Sequence, residues 1–195
     1  MALFRRRAAP AQLTHAEVRL NARLQPKHRI QIYERPLEIL LADAAPRSAI
    51  TGGGSMITPN DGIAYCDLEL SLTGASATTT KIVMDALESY GAPIGSWIQL
   101  NQDPKIPFGR CHGFALSLDG TSLPEQVYKE NDVNDLISIL SHELGKEAAL
   151  QSWWEGNGRT TMYFYGLDAD HITTVLSTAE SRFPLAQKST VTRLT

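Results

Sequence analysis

The feature that most constrains this chain is an order of predicted elements that occurs twice along its 195 residues. From Arg29, sequence patterns predict a strand, a helix, two strands joined by a hairpin, a second helix and a closing strand. The same order follows again after Cys111. A turn signal stands at the centre of each half, Asp61-Gly62 in the first and GNGR at 156–159 in the second. Two successive matches of similar length are much stronger evidence than one match to this common pattern.

The repeated β-α-β-β-α-β order is typical of ferredoxin-like folds, in which helices cover one face of an antiparallel sheet. The predicted fold class is therefore α+β, with two tandem ferredoxin-like units and antiparallel sheets. The predicted boundaries are a basic N-terminal arm at 1–28, unit one at 29–101, a linker at 102–110 and unit two at 111–195. An alternative is that both units form one compact pseudo-symmetric domain. The uncovered sheet faces must be hydrated, bind a ligand or pack on the sister unit.

Local patterns at the start of the chain support the predicted arm and the first two elements. Residues 13–24 show a weak helical stripe of apolar residues, and Pro26 is expected to end it. The sequence RIQIY at 29–33 alternates and predicts a strand. The sequence RPLEILLADAAP at 35–46 predicts a short helix, with Pro36 suited to its first turn.

Three consecutive glycines, Gly52 to Gly54, fall inside the second predicted strand of unit one. Glycine within a strand indicates a bulge or the close approach of another group. A phosphate-binding loop would need a helix N-terminus after the glycines, but the next predicted element is a strand. A structural bulge or contact is therefore favoured over a ligand loop.

The charge distribution limits the classes of partner. The net charge is -3, but residues 1–35 carry eight basic and two acidic groups (+6) and the rest carries 10 basic and 19 acidic groups (-9). An acidic body repels nucleic acid and favours basic partners. No apolar run approaches the length needed to span a bilayer, and the start lacks the apolar segment of a secretory signal. With only two cysteines, Cys66 and Cys111, we expect a cytoplasmic protein that binds neither membrane nor nucleic acid through its body.

The motifs give no support for catalysis or metal binding. The sequence SHELGKE would need histidine at position 146 to resemble a zinc protease, and Lys146 stands there. Adjacent residues on a strand point to opposite faces, so Cys111 and His112 cannot form a catalytic pair with each other. We therefore expect no enzyme activity, no catalytic residues, no cofactor and no metal site.

Aromatic residues concentrate on the predicted hairpin of unit two: Trp153, Trp154, Tyr163, Phe164 and Tyr165. Alternation places one set in the core and the other on the open face of the sheet. Packing between the two units is the simplest interpretation, and a protein-binding hot spot is the main alternative. Base stacking on RNA is disfavoured by the acidic body and by missing signature residues.

A second group of candidate residues lies in the acidic segment 119–135, where Lys129 is the single cation. The carboxylates of this segment are Asp119, Glu125, Glu130, Asp132 and Asp135. Asn131 or Asp132 is expected to cap the helix that follows. The other carboxylates could be a solvated loop or a docking patch for a basic partner.

Three stretches, ITGGGSMI…IAYCDLEL, ALSLDGTSLPEQVY and TMYFYG, resemble immunity proteins of bacterial toxin systems. The resemblance covers 29–195 and carries no catalytic signature. It implies stoichiometric occlusion of a basic toxin active site by an acidic, aromatic-bearing surface. The candidate partner-binding residues are Asp132, Asp135, Trp153, Glu155, Tyr163 and Tyr165.

The alternative hypothesis is a small-molecule-binding regulatory protein with a site at the interface of the two units. Its candidate residues are Arg110, His112 and the glycine-rich stretch at 52–55.

Overall fold

The fold is described here from a computed structural model, in which residues 13–58, 62–74 and 77–195 are described. It is α+β, with several helices and two antiparallel sheets. The described strands are β1 (Leu13–Leu20), β2 (Ala49–Thr58), β3 (Gly62–Thr73), β4 (Ser96–Leu100), β5 (Ile106–Phe108), β6 (His112–Asp119), β7 (Ala148–Gly156), β8 (Arg159–Gly166) and β9 (Thr190–Arg193). The described α-helices are α1 (Pro26–Arg29), α2 (Arg35–Ala44), α3 (Ala77–Ser89), α4 (Glu125–Glu130), α5 (Val133–Leu144) and α6 (Ala169–Arg182), with a π-helical segment at Ile30–Glu34 and a 3-10 turn at Pro184–Ala186.

Sheet one has the strand order β2-β3-β1-β4-β5, which places β1 in its middle. The prediction that residues 1–28 form an arm is therefore wrong for 13–28. Every second residue from Ala16 to Leu24 is fully buried, and this period of two is that of a strand. Residues 1–12, including the basic cluster Arg5–Arg7, lie outside the described residues.

The prediction of a strand at 29–33 is also wrong, because helical backbone runs from Pro26 through to Ala44. Pro26 stands in the first turn of α1 and starts the helix rather than ending one. Pro36 cannot donate a backbone hydrogen bond, and the wider π-helical segment lies directly before it. Within this segment the Arg35 backbone N–H donates to the Ile30 carbonyl, five residues back.

The glycine run of β2 confirms the predicted bulge and close contact. The register against β3 shifts between Ile50 and Gly52, which marks the bulge. A Cβ on Gly53 would lie 2.9 Å from the Asp67 carbonyl and 3.2 Å from Glu34 Oε1. Glu34 forms an ion pair with Arg29 at 2.6 Å, so the glycine leaves room for a largely buried ion pair beside the strand. The β2–β3 hairpin turn, including Asp61 of its predicted signal, lies outside the described residues.

Sheet two has the strand order β7-β8-β6-β9, and its predicted hairpin joins β7 to β8. Helices α5 and α6 cover one face, where their apolar residues pack on Phe114, Leu116 and Phe164. The Asp168 side chain accepts hydrogen bonds from the first turn of α6. The strand orders of both sheets are compatible with a ferredoxin-like fold. Sheet one carries β5 as an additional edge strand, inside the predicted linker.

The two halves of the chain share a core. Tyr163 and Tyr165 lie on the face of sheet two away from α5 and α6, and they belong to the same buried cluster as Ala22 and Tyr33. The Arg23 backbone N–H donates to the Tyr165 hydroxyl at 2.7 Å. Packing between the units, the simplest interpretation of these aromatics, is confirmed for the two tyrosines. Among the described residues, every helix is too short or too polar to cross a membrane.

Candidate functional site: an acidic cleft

A cleft of about 640 Å³ opens at one end of sheet two, beside the junction of α4 and α5. Five carboxylates from different elements line it: Asp119 ends β6, Glu130 ends α4, Asp132 and Asp135 begin α5, and Glu155 lies on β7. The fold therefore brings together three of the six predicted partner-binding residues, although Glu155 is 20 or more positions away from the other two in sequence. We call this feature the acidic cleft.

The start of α5 holds two of these carboxylates in place. Asp132 is the N-cap, as predicted, and its carboxylate accepts a hydrogen bond from the Asn134 backbone N–H at 2.8 Å. Asp135 lies in the first turn, where the helix dipole favours negative charge. Both residues are exposed, so they are positioned by the helix and still accessible.

The turn after β6 fixes a third carboxylate. Asp119 accepts hydrogen bonds from the backbone N–H groups of Thr121 and Ser122 at 2.9 and 2.7 Å and from the Ser122 hydroxyl at 2.7 Å. These donors, chiefly the two from Ser122, hold the pKa of Asp119 well below its usual range. Lys129 is the one lysine or arginine among the described residues that line the cleft, and it pairs with Glu125 at 2.6 Å.

Apolar residues border the acidic cleft. An adjoining hollow of about 100 Å³ shares Asp132 and Asp135 with it and adds Ile139 and Phe183. Ile139 is 39% exposed although it lies on a helix that packs against sheet two. In the sequence, Ile139 falls outside the apolar stripe of α5, and this position could have identified it as an exposed apolar residue. Exposed apolar side chains within a charged rim are typical of protein-binding surfaces.

The predicted aromatic contacts lie elsewhere. Tyr163 and Tyr165 are each only 2% exposed, because they are buried between the two halves of the chain, so they are unable to contact a docked partner. Trp153 is half-buried beneath Lys27, whose Nζ lies 5.1 Å from the ring centroid, and it lines a different hollow. The acidic cleft is therefore lined by the predicted carboxylates but not by the predicted aromatic residues.

The residues of the alternative hypothesis are only partly brought together. Arg110 lines a cavity of about 360 Å³ between the two halves of the chain, which Lys146 also lines. His112 lies on β6 with its Nδ1 at 3.0 Å from an Arg193 nitrogen, and it does not line this cavity. Of the glycines, Gly53 lies beside Arg29 and Glu34, and Gly52 lies beside Glu69.

The titratable groups within the described residues do not converge as a metal or nucleophile site would require. No group of three or more histidine, cysteine or acidic side chains in the described ranges is placed to hold a metal ion. Burial raises the pKa of the Cys66 thiol to about 12, and its Sγ donates to the Ala22 carbonyl at 3.0 Å. What the acidic cleft offers chemically is attraction for cationic groups.

Comparison with known proteins adds little to this geometry. No protein-family model matches the chain, and no curated protein matches it. Among solved structures, the chain is similar to an "Unknown Protein from Galdieria sulphuraria", at 13% identity and a TM-score of 0.29, over 94% of this chain and 98% of the other. A likeness at that TM-score supports no conclusion about fold or function.

Proposed function

We propose that this chain is a non-enzymatic protein-binding module that docks a basic protein on the acidic cleft. The observation that carries the proposal is the convergence of Asp119, Glu130, Asp132, Asp135 and Glu155 beside exposed apolar residues. In the proposed architecture, two tandem ferredoxin-like units form the rigid support.

The charge and the apolar border have separate roles in docking. The carboxylates attract a basic surface over a distance of about 8–10 Å at physiological salt and orient it on approach. Ile139 and its apolar neighbours then exclude water from the contact, which strengthens the charge pairs they surround. Because Asp132 and Asp119 are already held by backbone hydrogen bonds, little side-chain entropy is lost when the partner binds.

The biological role that we propose is that of an immunity protein, acting in the cytoplasm without contacting nucleic acid or membrane. It would neutralise a cognate bacterial toxin by covering a basic active site in a one-to-one complex. The sequence resemblance and the acidic cleft support this role, since toxins that act on anionic substrates present basic surfaces.

Docking is tested by affinity capture from the native host with three forms of the chain, followed by mass spectrometry of what co-purifies. The cleft variant is Asp132→Asn, Asp135→Asn and Glu155→Gln, in which asparagine at 132 retains the helix cap. The control variant removes three exposed acids elsewhere: Glu38→Gln, Asp43→Asn and Asp103→Asn.

We expect the wild-type chain and the control variant to recover one basic protein near equal stoichiometry. The cleft variant should recover it at least roughly tenfold less well, because it loses three charges at the contact. Equal recovery by all three forms would refute docking at the acidic cleft. The activity of the captured protein is then measured with and without this chain, and unchanged activity at saturation would refute the immunity role alone.

A second candidate function is small-molecule binding at the interface of the two units, favoured by the cavity that Arg110 and Lys146 line. Glu88 and Glu147 line the same cavity, and Arg110 and Lys146 would contact the anionic group of a metabolite there. A thermal-shift screen should then find an anionic compound that raises the melting temperature of wild type but not of Arg110→Gln. Equal stabilisation of both forms would refute this site.

A further inference from the structure

A second groove lies on the face of sheet two opposite α5 and α6, and neither proposed function uses it. Its volume is about 330 Å³, within the lower range of small-molecule sites, which is roughly 300–1,000 Å³. The half of this sheet face near Tyr163 and Tyr165 is buried against unit one, but the half toward the β8 start and β9 remains open. Trp154, Tyr163 and Arg23 are among the residues that line the groove.

The lining of this groove is basic and rich in hydroxyl groups. Arg23 and Arg159 line it together with four hydroxyl side chains, which are Ser117, Thr161, Thr190 and Thr192. The described residues that line it include no aspartate or glutamate. This composition stands out because the chain beyond residue 35 carries nine more acidic than basic groups.

The Arg159 guanidinium is held in a fixed position without a carboxylate partner. Its Nε donates to Ser117 Oγ at 2.9 Å, and its Nη2 donates to the carbonyls of Ser117 and Lys188 at 2.7 and 3.1 Å. The nearest acid on the paired strand, Asp119, directs its carboxylate to the amides of Thr121 and Ser122 instead. The bonds orient Arg159, whose charge helps to lower the pKa of Asp119 without forming an ion pair with it.

Arg23 is likewise without a described carboxylate within ion-pair distance. Its guanidinium lies 6.0 Å from the centroid of the Tyr163 ring, and its own backbone N–H is bonded to Tyr165. Two positioned guanidinium groups with several hydroxyl donors match the requirements of a tetrahedral or planar oxyanion.

We propose that this groove binds the phosphate or carboxylate group of a small anionic molecule, with Arg23 and Arg159 as the charged contacts. The hydroxyl groups of Thr190 and Thr192 supply further donors, whereas those of Ser117 and Thr161 are bonded to each other at 2.9 Å, which leaves one of their two protons for the ligand. The groove is larger than the oxyanion itself, so the remaining space accommodates the rest of the molecule beside Trp154. The proposal does not depend on the acidic cleft, which involves the helix side and the end of sheet two.

Trp154 provides a local probe, because the chain has only three tryptophans and therefore three indole N–H signals in a proton–nitrogen NMR spectrum. Trp154→Phe identifies the signal. The full-length protein is titrated with sodium phosphate in one arm and sodium succinate in the other, up to tens of millimolar. Sodium chloride keeps the ionic strength constant, since exposed charges are screened by salt.

We expect a saturable shift of the Trp154 signal with at least one of the two anions, and the responding arm identifies the oxyanion. Arg23→Gln should weaken the apparent affinity roughly tenfold or more, as expected for losing a charge-assisted contact. Arg193→Gln is the matched control, because Arg193 lies on β9 but on the opposite face, 6.0 Å from the Phe114 ring centroid. It should leave the affinity unchanged.

Arg159→Lys complements Arg23→Gln, because it retains a cation near Ser117 and loses only the forked geometry; we expect weaker but measurable binding. Normal signals from the other two tryptophans verify that each variant is folded. Absence of a saturable shift with both anions would overturn the proposal. So would a response that Arg23→Gln leaves intact or that Arg193→Gln weakens equally.

Discussion

The adjacent glycines Gly53 and Gly54 should respond in opposite directions to substitution by alanine. Both lie on β2, and neither has the positive φ that would itself disfavour an L side chain. At Gly53 the new Cβ would meet the Asp67 carbonyl oxygen at 2.9 Å, Glu34 Oε1 at 3.2 Å and Arg29 Nε at 3.4 Å. At Gly54 the space within 4 Å of the new Cβ is empty.

The size of the change in unfolding free energy depends on whether the atoms near the new Cβ can move away from it. At Gly53 the closest atom is backbone, and the Arg29–Glu34 side chains are only 8% and 17% exposed, so neither can move freely into solvent. An overlap of this kind costs about 1–3 kcal/mol of unfolding free energy. At Gly54 alanine restricts only the unfolded chain and should stabilise the fold by about 0.4–1 kcal/mol.

Urea unfolding followed by circular dichroism measures the difference between the two variants. We expect Gly53→Ala to unfold at lower urea than wild type and Gly54→Ala at equal or higher urea, a separation of roughly 2 kcal/mol. Gly52→Ala is an internal control, because its nearest contact is the flexible carboxylate of Glu69, and it should lie between them. Equal stability of Gly53→Ala and Gly54→Ala would refute the close contact at β2.

Two further predictions concern buried and fixed polar groups. Tyr165→Phe should lower the unfolding free energy by about 1–3 kcal/mol, because the Arg23 backbone N–H loses its 2.7 Å acceptor, whereas Tyr65→Phe should change it little; urea unfolding compares the two. Asp119→Asn should reduce stability at neutral pH. Because the folded-state pKa of Asp119 is lowered, its contribution is present above the usual carboxyl pKa and is lost as pH falls through the lowered value. Unfolding midpoints of wild type and Asp119→Asn, measured over a pH series, should therefore converge in acid, and a constant separation would contradict this.

Much of the fold could be predicted where one periodicity was unambiguous. The alternation of Cys66, Leu68, Leu70 and Leu72 gave the buried face of β3, and all four are fully buried. The prediction for residues 13–33 was wrong because the same apolar pattern fits both the period of a helix and the period of a strand. Ala16 and Ala22 complete the period of two that runs through β1 and the residues after it. A proline such as Pro26 is compatible with either the end or the start of a helix, so it did not decide between the two.

The acidic part of the site was accessible to sequence reasoning because it depends on local features. Asp132 and Asp135 follow from a helix start, which capping preferences identify within a few residues. Glu155 joins them only through the pairing of β7 with β8 and the position of α5, which no short segment specifies. The three carboxylates therefore line one cleft, and their role in binding a partner stays a prediction.

The aromatic part shows a limit that comes from the physics of sheets. Alternation assigns Tyr163 and Tyr165 to one face of β8, but it carries no information about what covers that face. A face covered by a partner protein and a face covered by another part of the same chain need the same apolar surface. Here the covering residues include Ala22 and Tyr33, more than 125 positions earlier in the chain. The half of the face they leave open carries Arg159 and four hydroxyl side chains and is bordered by Arg23, so the change in composition along one sheet face marks where intramolecular packing ends.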